Sequence, residues 1–179
     1  MNLLLRLLTF NTDLQEVHGF KPLGDILPGD YKDFKPYGMT ALFDAAYSGV
    51  SATLEYAKRL INQDFDVNGC VYIITDGMDN ASTVTPKMIA EKITQAAQDE
   101  EIESLITVLV GLIDPKVSYA KDVRQALTTF EVEAGLTQFV DAGDATPQKL
   151  AKLANFVSQS ISSQSQALGT GAASQPLTF

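Results

Sequence analysis

The chain has one cysteine, one histidine and no tryptophan. The lone Cys70 excludes a disulfide framework and a cysteine-rich zinc site, because both need several thiols. The lone His18 excludes a site held by two histidines and disfavours Ser-His or Cys-His catalysis. Basic side chains are also scarce: 13 Lys and Arg stand against 22 Asp and Glu, which gives a net charge of −9. This acidic balance argues against nucleic acid or an anionic membrane surface as a partner.

Long hydrophobic runs are missing as well. The apolar segment 1–10, MNLLLRLLTF, is too short to span a bilayer. Arg6 lies inside this run and polar residues follow it, which does not fit a secretory signal peptide. We therefore interpret 3–10 as a β-strand. Together with the single unpaired cysteine, these features predict a cytoplasmic protein.

The sequence does contain a regular alternation of apolar strands with amphipathic helices. Apolar side chains at three- and four-residue spacing predict helices, and Thr-Pro pairs give two of them an N-terminal signal. The first strand is apolar along nearly its whole length, which is typical of a strand covered on both faces. Alternation of this kind predicts an α/β fold, with a mostly parallel sheet between two layers of helices. The predicted strands are 3–10, a weak edge strand at 16–23, 69–75, 104–113 and 137–140, and the predicted helices are 42–61, 86–97, 123–134 and 147–161.

The length of 179 residues suits one domain, which we place at 1–168, followed by a flexible tail at 169–179. No charged side chain follows Lys152, and the last segment is rich in Ser, Gln, Gly and Ala. A disordered terminus is the simplest interpretation of this composition. Leu177 and Phe179 leave a second interpretation open, in which the tail docks as a strand or a peptide ligand.

Oxygen-bearing side chains collect where the carboxyl ends of the predicted strands should meet. Hydroxyl and carboxylate oxygens suit a hard cation such as Mg²⁺, and glycines allow tight turns beside it. Each feature also has a structural explanation, since a Thr before a helix can be its N-cap and an Asp-Gly after a strand can be a turn. The residues concerned are Asn11 after the first strand, Gly38 and Thr40 before the first helix, and Asp76, Gly77, Asp79 and Asn80 after the strand at 69–75.

Taken together, the segments GMTALFDA at 38–45 and IITDGMD at 73–79 resemble the von Willebrand factor type A (VWA) domain family. The strand end LLTFN at 7–11 is similar to the second strand of that family, and the resemblance runs to about residue 165. It implies a three-layer αβα, Rossmann-like fold with a metal-ion-dependent adhesion site. Thr40 matches the family's metal-binding Thr and Asp76 its metal-binding Asp. Asn11, Asp79 and Asn80 would lie at the rim of that site, and Gly38 and Gly77 would shape its loops.

The chain departs from the family at the first strand, which in the family ends in Asp-x-Ser-x-Ser and supplies the main metal ligands. No such motif occurs in this sequence. In the family this strand lies between those that match 3–10 and 69–75. Its loss would leave two rows of buried backbone donors and acceptors unpaired. Three explanations remain open: an N-terminally truncated or wrongly started chain, direct pairing of the flanking strands, or a strand supplied by another polypeptide.

Thr40 and Asp76 alone provide two ligands, whereas a hard divalent cation takes about six oxygens. We therefore predict weak or absent Mg²⁺ binding by this chain. The main functional hypothesis is a non-enzymatic protein-interaction module, whose partner binds through a carboxylate at the metal site or through the exposed gap in the sheet. The alternatives are a Mg²⁺-dependent phosphoryl-transfer enzyme and a metal-free scaffold. The enzyme is disfavoured because the sequence has neither a Gly-x-Gly-x-x-Gly nor a P-loop motif.

Overall fold

The computed structural model describes residues 3–31, 37–99, 102–170 and 177–179. A strand hairpin is followed by alternating helices and strands, so the predicted mixed α/β class is confirmed. Two short 3₁₀ turns, Leu23–Asp25 and Pro28–Asp30, lie between the hairpin and the first helix. The strands are β1 (Leu4–Phe10), β2 (Leu14–Pro22), β3 (Asn68–Thr75), β4 (Ser104–Gly111) and β5 (Gln138–Asp141), and the helices are α1 (Leu42–Ile61), α2 (Pro86–Gln98), α3 (Ala120–Ala134) and α4 (Pro147–Thr170).

Strands β3, β4 and β5 form a parallel sheet in that order. Asn68 of β3 is opposite Ser104 of β4, and Val108 of β4 is opposite Gln138 of β5. Helices α1, α2 and α3 bury their apolar stripes in one cluster on the first face of this sheet. Helix α4 packs in a second cluster on the other face. The predicted arrangement of a parallel sheet between two helical layers therefore holds for these three strands.

The hairpin of β1 and β2 is a separate, antiparallel two-stranded sheet. Every residue of β1 is half-buried or exposed, so the expectation that both of its faces are covered is wrong. Among the described residues, β1 and β3 do not pair with each other, which contradicts direct closure of the gap between them. The apolar pattern of β1 predicted burial, but burial depends on neighbouring strands that a local pattern does not specify.

Helix α1 connects the hairpin to the parallel sheet. Its inner stripe is fully buried, with Leu42 and Leu54 at 0% and 1% exposure, and each such side chain contributes about 1.5–3 kcal/mol. On the sheet side, Gly49 lets the helix approach β3, because a Cβ there would lie 3.2 Å from Val71. On the hairpin side, the rings of Phe20 and Tyr56 stack with their centroids 4.5 Å apart.

The last helix, α4, carries an apolar stripe that becomes polar towards its C-terminal end. Leu153 and Phe156 are buried, and so are Ser160 and Gln164 one and two turns further on.

The helix continues to Thr170, two residues into the predicted flexible tail at 169–179. Residues 171–176 of that tail lie outside the described residues, and residues 177–179 pack against the α4 side of the sheet. Within the described part of the chain, no helix has both the length and the apolar character needed to cross a bilayer.

Candidate functional site

The three predicted loops meet at the N-terminal end of α1. The Ala41 N–H donates to the carbonyl of Asn11 over 2.6 Å, which joins the end of β1 to the start of the helix. The Asn80 N–H donates to the carbonyl of Thr40 over 3.0 Å, and the Thr40 N–H donates to Asn80 Oδ1 over 2.6 Å. These bonds attach the loop after β3 to the same helix end. The structure therefore brings Asn11, Thr40 and Asn80 together, although they are far apart in the sequence.

Gly38 is required by this arrangement, whereas Gly77 is not. Gly38 has a φ of +83°, and a Cβ at this position would lie 2.6 Å from Thr12 Oγ1. The Thr12 hydroxyl also accepts a hydrogen bond from the Met39 N–H over 2.9 Å, so the loop is tied closely to the end of β1. A Cβ on Gly77 would make only an ordinary contact, 4.0 Å from Thr40 Oγ1. This contact also shows that the Thr40 hydroxyl lies beside the loop that carries Asp76.

The first turn of α1 is capped by side chains from the loop after β3. The N-cap residue is Ala41, which has no side-chain acceptor, so Thr40 is not the N-cap that its position suggested. Instead, the Phe43 N–H donates to Asp79 Oδ1 over 3.3 Å and the Asp44 N–H donates to Ser82 Oγ over 3.0 Å. The Ser82 hydroxyl in turn donates to Asp79 Oδ1 over 2.5 Å. The Asp79 carboxylate thus accepts a hydrogen bond from a helix N–H that has no partner within the helix, and its charge interacts favourably with the helix dipole.

The first turn of α1 also accepts hydrogen bonds from the loop after β3, through the carboxylate of Asp44. Asp44 Oδ1 accepts hydrogen bonds from the N–H groups of Thr83 and Val84, over 3.0 and 2.8 Å. The loop after β3 and the first turn of α1 are thus cross-linked in both directions. The sequence left two roles open for Asp79 and Asn80, at the rim of a metal site or in shaping the turn. In the structure both accept hydrogen bonds from the start of α1.

The donors present do not fit a complete magnesium site. Asp76 is exposed and Thr40 is half-buried, so two of the predicted side chains remain as ligands for an ion. Asn11 Oδ1 already accepts a hydrogen bond from the Asp13 N–H over 2.9 Å, and Asp79 and Asn80 bind the helix start. In the described ranges, no group of three or more His, Cys, Asp or Glu side chains could hold a metal ion. Mg²⁺ needs about six oxygens, so other molecules would have to supply the rest.

Sequence reasoning assigned no role to three exposed apolar side chains beside this site. Tyr37, Met39 and Met78 are 73%, 50% and 40% exposed. Met39 precedes Thr40 and Met78 follows Gly77 in the chain, so both lie close in sequence to the two predicted metal ligands. The available signal was their place in the sequence, since Met39 and Met78 lie inside the two motifs with the loop glycines and Tyr37 directly precedes Gly38. Large contiguous apolar patches mark interaction surfaces, whereas single exposed apolar residues are common on soluble proteins.

Comparison with protein-family models, with curated proteins and with solved structures finds no match to this chain.

Proposed function

We propose that this chain is a non-enzymatic protein-interaction module related to the VWA family, and that it binds an extended segment of another polypeptide between β1 and β3. The observation that supports this function is the separation of the hairpin from the parallel sheet. The VWA element order places one strand between these two sheets. An extended partner segment in that position would pair with backbone groups that are otherwise left at a strand edge.

The edge of β3 that faces away from β4 has the properties of a site for strand addition. Among the described residues, β3 pairs only with β4, so the other edge of its eight residues has no neighbouring strand. Ile74 on this strand is 44% exposed, and no charged or proline residue blocks the segment Asn68–Thr75. Natural proteins usually protect such edges with charges, prolines or bulges, because an open edge pairs readily with another chain.

The proposed role of Mg²⁺ is secondary to strand addition. Thr40 and Asp76 lie at the carboxyl end of this edge and would give the ion two side-chain ligands. A carboxylate from the partner, together with water, would supply the others, so an ion that binds the free chain weakly would bind the complex better. The cytoplasmic location inferred from the sequence belongs to the same proposal.

The test uses a synthetic extended peptide as a probe for strand addition. The probe has alternating Thr and Val residues, a Lys at each end and a fluorescent label, and its binding is measured by fluorescence anisotropy. Ile74→Lys places a charge on the open edge and should weaken binding by about tenfold or more. Val132→Lys is the matched control, because Val132 is an exposed apolar residue on α3, 71% exposed, and its replacement should leave binding unchanged.

A second control separates backbone pairing from simple hydrophobic contact. N-methylation of alternate peptide bonds along one edge of the probe removes the donors for one ladder, while the side chains stay the same. The proposal expects the methylated probe to lose binding. If the methylated and unmethylated probes bind equally well, or if neither binds, the strand-addition proposal is wrong and the metal-free scaffold becomes the better hypothesis.

A further inference from the structure

The segment 177–179 occupies a groove on the face of the sheet that α4 covers. Leu177 and Phe179 pack against the apolar cluster formed by α4, β4 and β5. This groove lies on the opposite face from the α1 cluster and does not involve the loops at the start of α1. On the α4 side the segment lies beside Lys152, Asn155, Phe156 and Gln159, which together with Thr178 and Phe179 line a shallow open cleft. On the sheet side Gln138 of β5 donates a hydrogen bond to the segment.

Three directed contacts hold this segment in the groove. The Gln138 side-chain amide donates to the carbonyl of Leu177 over 3.1 Å. The ring of Phe179 meets the ring of Phe156 edge to face, with centroids 5.4 Å apart. The Lys152 ammonium lies 4.3 Å from the centroid of the Phe179 ring. The groove therefore recognises three features of the segment. The apolar cluster contacts the aliphatic Leu177, Phe156 and Lys152 contact the aromatic ring of Phe179, and Gln138 binds one main-chain carbonyl.

The segment does not use all the contacts that the groove offers. A pocket remains open beside Thr178 and Phe179, between Lys152 and Gln159. Gln138 Oε1 is buried and has no hydrogen-bond partner among the described residues, so one acceptor next to the bound carbonyl is unused. A bound peptide that offers an N–H at this position would satisfy it. Few anchors and an unused acceptor are the features of an internal ligand that another peptide can replace.

We propose that this groove is a docking site for extended peptides that carry an aliphatic and an aromatic side chain two residues apart, and that the chain's own residues 177–179 occupy it as a displaceable internal ligand. The internal segment fixes the chemistry of the partner, because its Leu-x-Phe pattern fits the apolar cluster and the aromatic contacts. Residues 177–179 have no charged side chain. Recognition therefore depends on shape, on the contacts of Phe156 and Lys152 with the Phe179 ring, and on the Gln138 amide. A partner peptide therefore has to compete with a segment that is already tethered nearby.

The test measures peptide binding with and without the internal ligand. The probe is the labelled hexapeptide Ser-Gln-Pro-Leu-Thr-Phe, which copies residues 174–179. Replacing Leu177 and Phe179 together by alanine in the full chain should tighten probe binding by about tenfold or more, because the tethered competitor is lost. Adding Lys152→Ala to this double variant should weaken binding again. Phe65→Ala, at an aromatic residue that is 52% exposed elsewhere on the surface, should leave the wild-type affinity unchanged.

A fluorescent variant tests the same idea in a chain that keeps its own tail. The chain has no tryptophan, so Phe179→Trp introduces a single reporter. Its emission should be that of a partly buried indole and should shift to the red when unlabelled hexapeptide in excess displaces the segment. Equal probe affinity in the wild-type chain and the double alanine variant, or Trp emission that peptide leaves unchanged, would overturn the proposal.

Discussion

Replacing Asp79 by alanine should destabilise the protein through the N-terminal turn of α1. The substitution removes the acceptor for the Phe43 N–H and for the Ser82 hydroxyl. Loss of a helix-capping acceptor costs about 0.5–2 kcal/mol, and loss of a negative charge beside a helix N-terminus costs about 0.3–1 kcal/mol. The expected decrease in the free energy of unfolding is therefore about 1–3 kcal/mol.

This decrease is measurable by urea and thermal unfolding, followed by circular dichroism. For a domain of this size, 1 kcal/mol shifts the midpoint by about 2–4 °C, so a loss of about 2 kcal/mol lowers Tm by about 4–8 °C. Asp79→Asn keeps an acceptor oxygen and loses the charge, so it should recover most of the stability. The order of stability should be wild type, then Asp79→Asn, then Asp79→Ala.

Asp76→Ala is the matched control for this experiment. Asp76 lies three residues earlier in the same loop and is exposed, so its carboxylate is open to water. Its replacement should change the free energy of unfolding by no more than about 0.5 kcal/mol. The capping role of Asp79 is refuted if Asp79→Ala unfolds with the wild-type midpoint, or if Asp76→Ala is destabilised as much as Asp79→Ala. Either outcome would mean that the loop after β3 does not cap α1.

Two further predictions concern the metal site and the single thiol. Calorimetric titration with Mg²⁺ should give weak or no heat of binding, because Thr40 and Asp76 are only two of the about six ligands that the ion takes; a micromolar constant that Thr40→Ala abolishes would contradict this. Burial raises the pKa of Cys70 to about 11, so its reaction with a disulfide reagent at pH 8 should be slow in the folded chain and fast in urea. The raised pKa also means that its contribution to stability, intact below about pH 9, is lost as the pH rises towards 11. This loss should disappear in Cys70→Ala.

The helices were predictable because their signals are local. The apolar stripe that starts at Leu42 and ends at Ile61 matches α1, since side chains three and four residues apart share one helix face. Gly135 ends α3 with a φ of +62°, as expected for a glycine just after a helix. In both cases a few neighbouring residues contain the information, and tertiary contacts only reinforce it.

The pairing of β1 and the roles of the site residues were not predictable in the same way. The apolar run of β1 is compatible with burial on both faces or with a half-covered hairpin, and the difference depends on which strands are present. Asp79 and Asn80 act on the start of α1, 36 and 40 residues earlier in the chain. From the sequence alone, such residues cannot be distinguished from metal ligands, because carboxylate and amide oxygens both bind metal ions and accept hydrogen bonds from helix N–H groups. Only the fold shows which N–H groups they meet.

The contacts at the start of α1 also bear on how a strand would enter the gap. The bond from Ala41 to Asn11 fixes the end of β1 to the helix, and the bonds between Thr40 and Asn80 fix the loop after β3 to the same turn. Both borders of the proposed binding site are thus held in place before a partner arrives. Binding costs less when the surface is already ordered. Destabilising this turn with Asp79→Ala should therefore weaken binding of the strand probe although Asp79 lies outside the edge of β3, whereas Asp76→Ala should not affect binding in the absence of Mg²⁺.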